Sequence, residues 1–420
     1  MVVTCISVLV NMLLAFLLKK LKHKKAIYIV GLVVNIAFLF AFKYVTPILS
    51  LAKVEFTFFN LLLPLGISYY TFQQIAFLSS LYREEVKDFN VLDYLTYILF
   101  FPKIMIGPLI EYDVFVSQLN DESRKPFNLD NFLKGIKMFA FGLFKKVIIA
   151  DLFAVVVNYG FTHVVDLHSL DVLLLMLSYT FEIYFDFSGY SDMAIGISLV
   201  LNFDIPANFN SPYKATSFRD FWRRWHMTLT NFLKKYIYIP LGGNRKGVVL
   251  TIVNVLIVFL ISGIWHGANF TFLLWGAIWG VLCVIDRFIK KPNRRVWKIL
   301  SCIGVFIVTN FLWLLFRADS IGQWFTLVKI LFSFGGGVDI KLLSSFVADV
   351  TKPLLYIPFV KSWLIAILVI ATTLCLCFIP KNNYETKERV TVIEMIAAGL
   401  AITLCLFSLR TAVPFLYFGF

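Results

Sequence analysis

The 420-residue chain is 60% hydrophobic and only 15% charged, with a mean hydropathy of +0.82 and a formal net charge of +14. A soluble globular domain is usually about one-quarter charged, so this composition excludes one and calls for a polytopic membrane protein. The positive excess does not point to nucleic acid, because the basic residues gather between apolar runs, as they do in cytosolic loops.

Residues 1–18 form an apolar span that ends in Lys19, Lys20, Lys22, Lys24 and Lys25. A signal peptide carries its positive charge ahead of the apolar core, so this order marks a cytosolic stop and places Met1 outside or in the interface. A second span, about Ala26–Tyr44, returns outward. Leu61–Leu81 is apolar yet holds Ser68, Thr71, Gln73 and Gln74. Amides at that depth need protein partners, so this helix is expected to face the bundle as helix-to-helix glue. Val91–Ile110 is interrupted at Pro102, Gly107 and Pro108, and broken helices at membrane depth tend to line cavities. Loop 111–130 has five acids against two bases and gives no topological vote. Residues 131–157 alternate Lys134, Lys137, Lys145 and Lys146 with Phe, Ile and Val, which suits an interfacial amphipathic helix leading into a span.

The apolar stretch 171–203 carries Glu182, Asp186 and Asp192, the first two on one helical face. Acids inside a span are costly and mark a site or a buried pairing. Ion pairs with the downstream arginines are expected for Glu182 and Asp192, while Asp186 stands between pairing and a site role.

Positive charge and two of the five histidines then concentrate between Tyr213 and Asn269. Ser217 with Asp220 reads as a helix start. Phe218, Trp222, Trp225, Leu229 and Phe232 make an apolar stripe beside Arg219, Arg223, His226 and Thr230, which predicts one amphipathic helix with a cationic seam. Either lipid phosphates or an anionic ligand would suit that seam. The turn PLGGNRKG (240–247), with Arg245 and Lys246, suits a phosphate cradle or a plain cytosolic hairpin. His266 lies 20 residues from both Lys246 and Asp286, and 20 helical residues span about 30 Å, so it sits at the bottom of a hairpin that turns near Ser262–Asn269. Trp265, Gly263 and Gly267 flank it. An imidazole at such depth is a satisfied core group or a working base, and the cationic mouth on the same element favours the base. A deep base below a cationic mouth suits transfer from an anionic thioester carrier such as coenzyme A to an alcohol, chemistry that needs no metal.

Loop 286–298, with six bases and one acid, is cytosolic. Further spans are expected at Ile299–Arg317, Trp324–Phe334, Trp363–Ile379 and Val392–Leu409, with a loop from Gly335 to Pro358. The six cysteines sit in apolar segments without metal-type spacing, and no metal site is expected. No spacer or repeat divides the chain, so one integral domain over residues 1–420 is expected.

At LPLGISYYTFQQ (63–74), FFPKIMIGPLI (100–110), YFDFSGYSDMAIG (184–196), NFNSPYKATSFRDFWRRWHMTL (208–229), YIYIPLGGNRKG (236–247), SGIWHGANFTFLLWG (262–276) and PFLYFGF (414–420), the chain resembles the membrane-bound O-acyltransferase superfamily in its alginate O-acetylation protein branch. The resemblance implies an all-α ring of about ten to eleven tilted transmembrane or re-entrant helices around a thinned centre with a tunnel, its core motifs within 61–276. His266 matches the family's catalytic histidine and His226 its second polar position. Arg219, Arg223, Arg224 and Arg245 would draw the donor's phosphates, with Asp186, Trp265 and Asn269 in support. The implied reaction moves an acetyl group from a cytosolic thioester, acetyl-CoA, toward hydroxyls of an exported polysaccharide. An SGNH or esterase-like extracytoplasmic partner, membrane lipids and a bacterial cytoplasmic-membrane location come with that resemblance. Relative to the family the chain starts late, as if a helical pair preceded the point matching Met1. D-alanyl transfer to teichoic acid from a carrier protein, a transporter of acyl donor or lipid, and a scaffold for the exported partner are the alternatives.

Overall fold

The computed structural model describes residues 2–51, 64, 66–289, 294–348, 362–409 and 416. The start of the third apolar segment, Lys290 and Lys291 of the basic loop, the stretch 349–361 and most of the closing PFLYFGF lie outside the described residues. The described chain is helical, with no strand among the described residues.

Helices α1 (Val2–Lys20) and α2 (Lys24–Leu51) are joined at the lysine block and pack with α3 (Ile67–Tyr82). Lys24 pairs with Glu84 at 2.8 Å and Lys19 pairs with Asp88, so the C-terminal end of α3 shares the cytosolic face with the lysines. Within the triplet, Gln74 accepts from Ser7 at 2.9 Å and from Asn11 at 3.1 Å, and Asn11 also pairs with Asn35. The amide side chains of α3 do face protein, as their cost in lipid requires. After α4 (Val91–Leu99) the chain turns through Pro102 and Pro108 to α5 (Tyr112–Leu119). Gly66, at φ 72°, lies so close to this turn that a Cβ there would stand 2.2 Å from the Ile104 carbonyl oxygen.

α6 (Leu129–Phe144), a π-helical turn (Lys145–Ala150) and α7 (Asp151–Thr162) pack on α8 (Ser169–Val200), a 32-residue helix buried on all sides over residues 178–192. The expected interfacial helix at 131–157 is therefore corrected: Gly135 and Gly142 bring α6 against Gly196 and Gly189 of α8, with Lys137 and Lys146 buried. The π turn aims two lysines at the intramembrane acids. Lys146 meets Asp186 and Asp151, each at 2.7 Å, and Lys145 meets Asp192 at 2.6 Å. For Asp186 and Asp192 the partners are lysines that precede α8, not downstream arginines. Glu182 forms no ion pair among the described residues.

The predicted amphipathic helix after Ser217 divides into α9 (Phe218–Trp222) and α10 (Met227–Leu233), followed by a π turn (Lys234–Tyr238). α11 (Val248–His266) and α12 (Phe270–Phe288) make the deep hairpin, and α13 (Arg295–Arg317) follows. Among the described residues five helices, α1, the Lys24–Val45 part of α2, α11, α12 and α13, are long and apolar enough to cross a membrane. α14 (Ile321–Leu331), with 11 residues, rises only about 16 Å, so the span expected at Trp324–Phe334 does not cross. The loop expected after Gly335 contains α15 (Ile340–Ala348). α16 (Ser362–Phe378) and α17 (Val392–Ser408) are apolar and 17 residues each, and α17 packs on α6.

Candidate active site

His266 is the last residue of α11, about 27 Å along the helix from Val248. Lys43 gives an independent depth: it lies about 28 Å along α2 from Lys24 and donates to the Trp265 carbonyl. The imidazole is 5% exposed and sits among rings, with Trp265, Phe316 and Trp275 at centroid distances of 4.6, 4.9 and 5.3 Å. Gly267 follows because a Cβ there would stand 2.5 Å from the Phe272 ring. Asn269 starts α12 by accepting from Thr271 N–H, and its amide donates to the Asp319 carbonyl at 2.7 Å, which ties the hairpin turn to the end of α13.

His226 does not continue a helical seam. It adopts φ 43° and ψ 53°, left-handed values that a non-glycine residue holds only when its surroundings enforce them. Asn208 does so here: its carbonyl accepts from Met227 N–H at 2.9 Å, and its side-chain oxygen accepts from Thr228 Oγ1 at 2.6 Å. The same oxygen faces His226 Nδ1 at 3.3 Å, and as an acceptor it assigns the ring proton to Nδ1. Nε2 then faces the Tyr69 hydroxyl at 3.4 Å, and Phe187 meets the ring edge-on at 4.7 Å. Tyr69 lies about 20 Å along α3 from Tyr82, so His226 too is far below the cytosolic face. The Trp265 ring touches both imidazoles, 4.6 Å from His266 and 6.5 Å from His226.

A cavity of about 920 Å³ approaches from the cytosolic side. At its mouth Lys235 pairs with Glu111 at 2.9 Å and Glu85 at 3.3 Å, beside exposed Lys234, and Lys387 pairs with Asp204 at 2.6 Å. Its inner wall is Phe72, Gln73, Leu109, Met227, Thr228 and Phe232. It therefore reaches the neighbours of His226 and stops at stacked rings, Phe72 lying 4.5 Å from Phe232 and 5.4 Å from Trp265. A second, narrower slot of about 260 Å³ lies across α10, with Arg219, Arg287 and Lys234 at its rim and Ser262, one turn from His266, in its wall. Neither cavity has His266 in its lining.

Of the four arginines singled out from sequence, Arg219 bonds Asp286 at 2.9 Å and lines the slot, and Arg224 bonds Asp220 at 3.0 Å. Arg223 and Arg245 are exposed and form no ion pair among the described residues. None of the four lines the large cavity. Asp186 bonds Lys146 and accepts the Leu416 N–H at 3.1 Å, and has no hydrogen bond to either imidazole among the described residues. Sequence reasoning passed over Asn208, Tyr69 and Lys43. Lys43 left a signal, being the single charged residue between Ala26 and Val45.

These features define a multi-pass membrane protein whose helices bury two imidazoles beside one indole, with a cavity from the cytosolic side that ends at the neighbours of His226. A family model described as MBOAT, membrane-bound O-acyltransferase family, matches residues 10–321, and the chain belongs to that family. It is 38% identical over 340 residues to the peptidoglycan O-acetyltransferase of Helicobacter pylori, covering 73% of this chain and 64% of the relative. It is 37% identical over 317 residues to the probable alginate O-acetylase AlgI of Pseudomonas aeruginosa, covering 73% and 60%. The teichoic acid D-alanyltransferase of Bacillus subtilis is 29% identical over 259 residues, covering 59% and 65%. The matches thus span about three-fifths of the length of these relatives, and the chain is a multi-pass protein of the bacterial cytoplasmic membrane.

Proposed function

We propose that the chain is an O-acyltransferase that moves an acetyl group from a cytosolic thioester, acetyl-CoA, toward hydroxyls of an exported cell-envelope polysaccharide. An extracytoplasmic SGNH or esterase-like partner would complete delivery to the polymer. One observation carries this reading: His266 and His226 both contact the Trp265 indole far below the cytosolic face, and the large cavity descends from that face to the residues beside His226. Its volume lies within the range of small-molecule and cofactor sites. Five of the six residues forming its inner wall come from three of the sequence blocks quoted above.

In this scheme the acceptor hydroxyl attacks the thioester carbonyl carbon while His266 takes its proton. Collapse of the tetrahedral intermediate breaks the carbon–sulfur bond, and the proton passes to the departing thiolate. His226, its Nδ1 proton directed to Asn208, orients and assists. The cytosolic cations Lys234, Arg223 and Arg245 draw the donor's phosphates, and Arg219, paired with Asp286, lines the second slot. The polysaccharide substrates in the names of two relatives support the acceptor class.

The relative named for D-alanyl transfer supports a second reading, with a carrier-protein thioester as donor. Purified protein in liposomes, given acetyl-CoA and an oligosaccharide acceptor, tests the first. Transfer that His266→Ala abolishes, with the protein still folded, is the expected result. Transfer only from a D-alanyl carrier protein would favour the second, and full activity of His266→Ala would remove that residue from the mechanism.

A further inference from the structure

Resting on the reading of His266 as the base, we infer that Lys43 is a positioning residue for it, working with Tyr44 as a clamp on the end of α11. The last carbonyls of a helix have no partner within it, and here they face a membrane interior where water is not at hand. Two of them are met from α2, more than 200 positions earlier in the chain: Lys43 Nζ donates to the Trp265 carbonyl and Tyr44 Oη to the Ile264 carbonyl. Gly267 N–H also reaches the Ile264 oxygen, at 3.1 Å. Basic side chains near a helix C-terminus complement the helix dipole and supply donors to its last carbonyls.

The ammonium does more than cap. It lies 5.2 Å from the centre of the Trp265 ring, a cation–π distance, and that ring is the one touching both imidazoles. Lys43 thus holds the backbone of Trp265 and the face of its indole at once. His266 is the next residue, and its pose follows from both. An ordinary capping residue would fix the helix end alone. Lys43 also contacts the ring that both histidines touch, and only 9% of the lysine is exposed.

The test is steady-state acyl transfer by the full chain in liposomes, with acetyl-CoA as the varied substrate, for wild type, Lys43→Met, Lys43→Arg, Tyr44→Phe and His266→Ala. A base displaced by about 1 Å loses on the order of 100-fold in rate. Lys43→Met is therefore expected to lose roughly 10- to 100-fold in kcat with KM for acetyl-CoA unchanged, and Lys43→Arg to recover a substantial part. Tyr44→Phe, which keeps the ring and removes one hydrogen bond, is expected to melt like wild type and lose a few-fold in kcat. Should Lys43→Met fail to fold, Lys43→Arg and Tyr44→Phe carry the decision: wild-type kcat in both overturns the clamp. Wild-type kcat in Lys43→Met, or a fall in KM terms alone, overturns it too. If His266→Ala keeps full activity while Lys43→Met loses it, the base reading fails rather than the clamp.

Discussion

Gly263→Ala is the sharpest perturbation of the hairpin that carries His266. A Cβ at Gly263 would lie 2.4 Å from the Phe272 carbonyl oxygen and 3.3 Å from Gly276 Cα, on the facing helix. Ordinary contact begins near 3.4 Å, and the obstructing atom is backbone, so no side chain can rotate away. α11 and α12 must therefore part by about 1 Å, and overpacking of that kind costs about 1–3 kcal/mol. The larger effect is on rate. His266 is three residues on, less than one helical turn, and moves with the displaced segment, at a cost on the order of 100-fold. The assay pairs thermal unfolding in detergent with acetyl transfer per folded molecule. The expected result is a small loss of stability and a large loss of turnover. If Gly263→Ala unfolds and turns over like wild type, the close approach of the two helices is not what places the imidazole. Gly304→Ala, where nothing lies within 4 Å of the added atom, serves as the neutral control.

Three further perturbations probe other parts of the same arrangement. Lys146→Met leaves buried Asp186 and half-buried Asp151 without their shared cation, and should cost about 3–5 kcal/mol in a denaturation series. Asp186→Leu added to it should recover part of that loss, and failure to recover would mean the pairing is not the source. Asn208→Leu removes the acceptor of His226 Nδ1 and of Thr228, and should lower kcat about 10-fold with the donor's KM little changed. An unchanged kcat would show that His226 needs no fixed tautomer. Lys234→Glu reverses an exposed charge at the cavity mouth and should raise KM for acetyl-CoA severalfold at low salt, converging with wild type as ionic strength rises. A KM insensitive to both charge and salt would place donor entry elsewhere.

Depth was legible in the sequence because it follows from one number, the rise of a helix. The spacing of His266 from its basic flanks predicted a hairpin one bilayer thick, and α11 and α12 form it. Ser217 as a cap and the inward amides of α3 were legible for similar reasons, since each depends on neighbours in sequence or on the cost of a lone polar group in lipid. His226 was placed on the wrong geometry because periodicity assumes an unbroken helix. The stripe from Phe218 to Phe232 is intact as a pattern, but Asn208, on a separate segment, takes the Met227 N–H and turns the chain at His226. Partners of the buried acids were misassigned for the same kind of reason. The π turn that aims Lys145 and Lys146 inward adds one residue to a helical turn, and no local propensity announces it.

Access is the property least visible in a linear chain, because its walls come from separated segments. α10 divides the two approaches to the histidine pair: the large cavity runs along one side to Met227 and Thr228, the narrow slot along the other to Ser262. The first leads to the neighbours of His226 and the second to within a turn of His266. Trp265 lies beside Phe72 of the large cavity, the two rings tilted at 5.4 Å, and under Lys43 from α2. In the proposed reaction, a donor arm descending the large cavity would meet Phe72 and Trp265 before His266. This is why the residues that fix Trp265 matter as much to the proposed reaction as the imidazoles themselves.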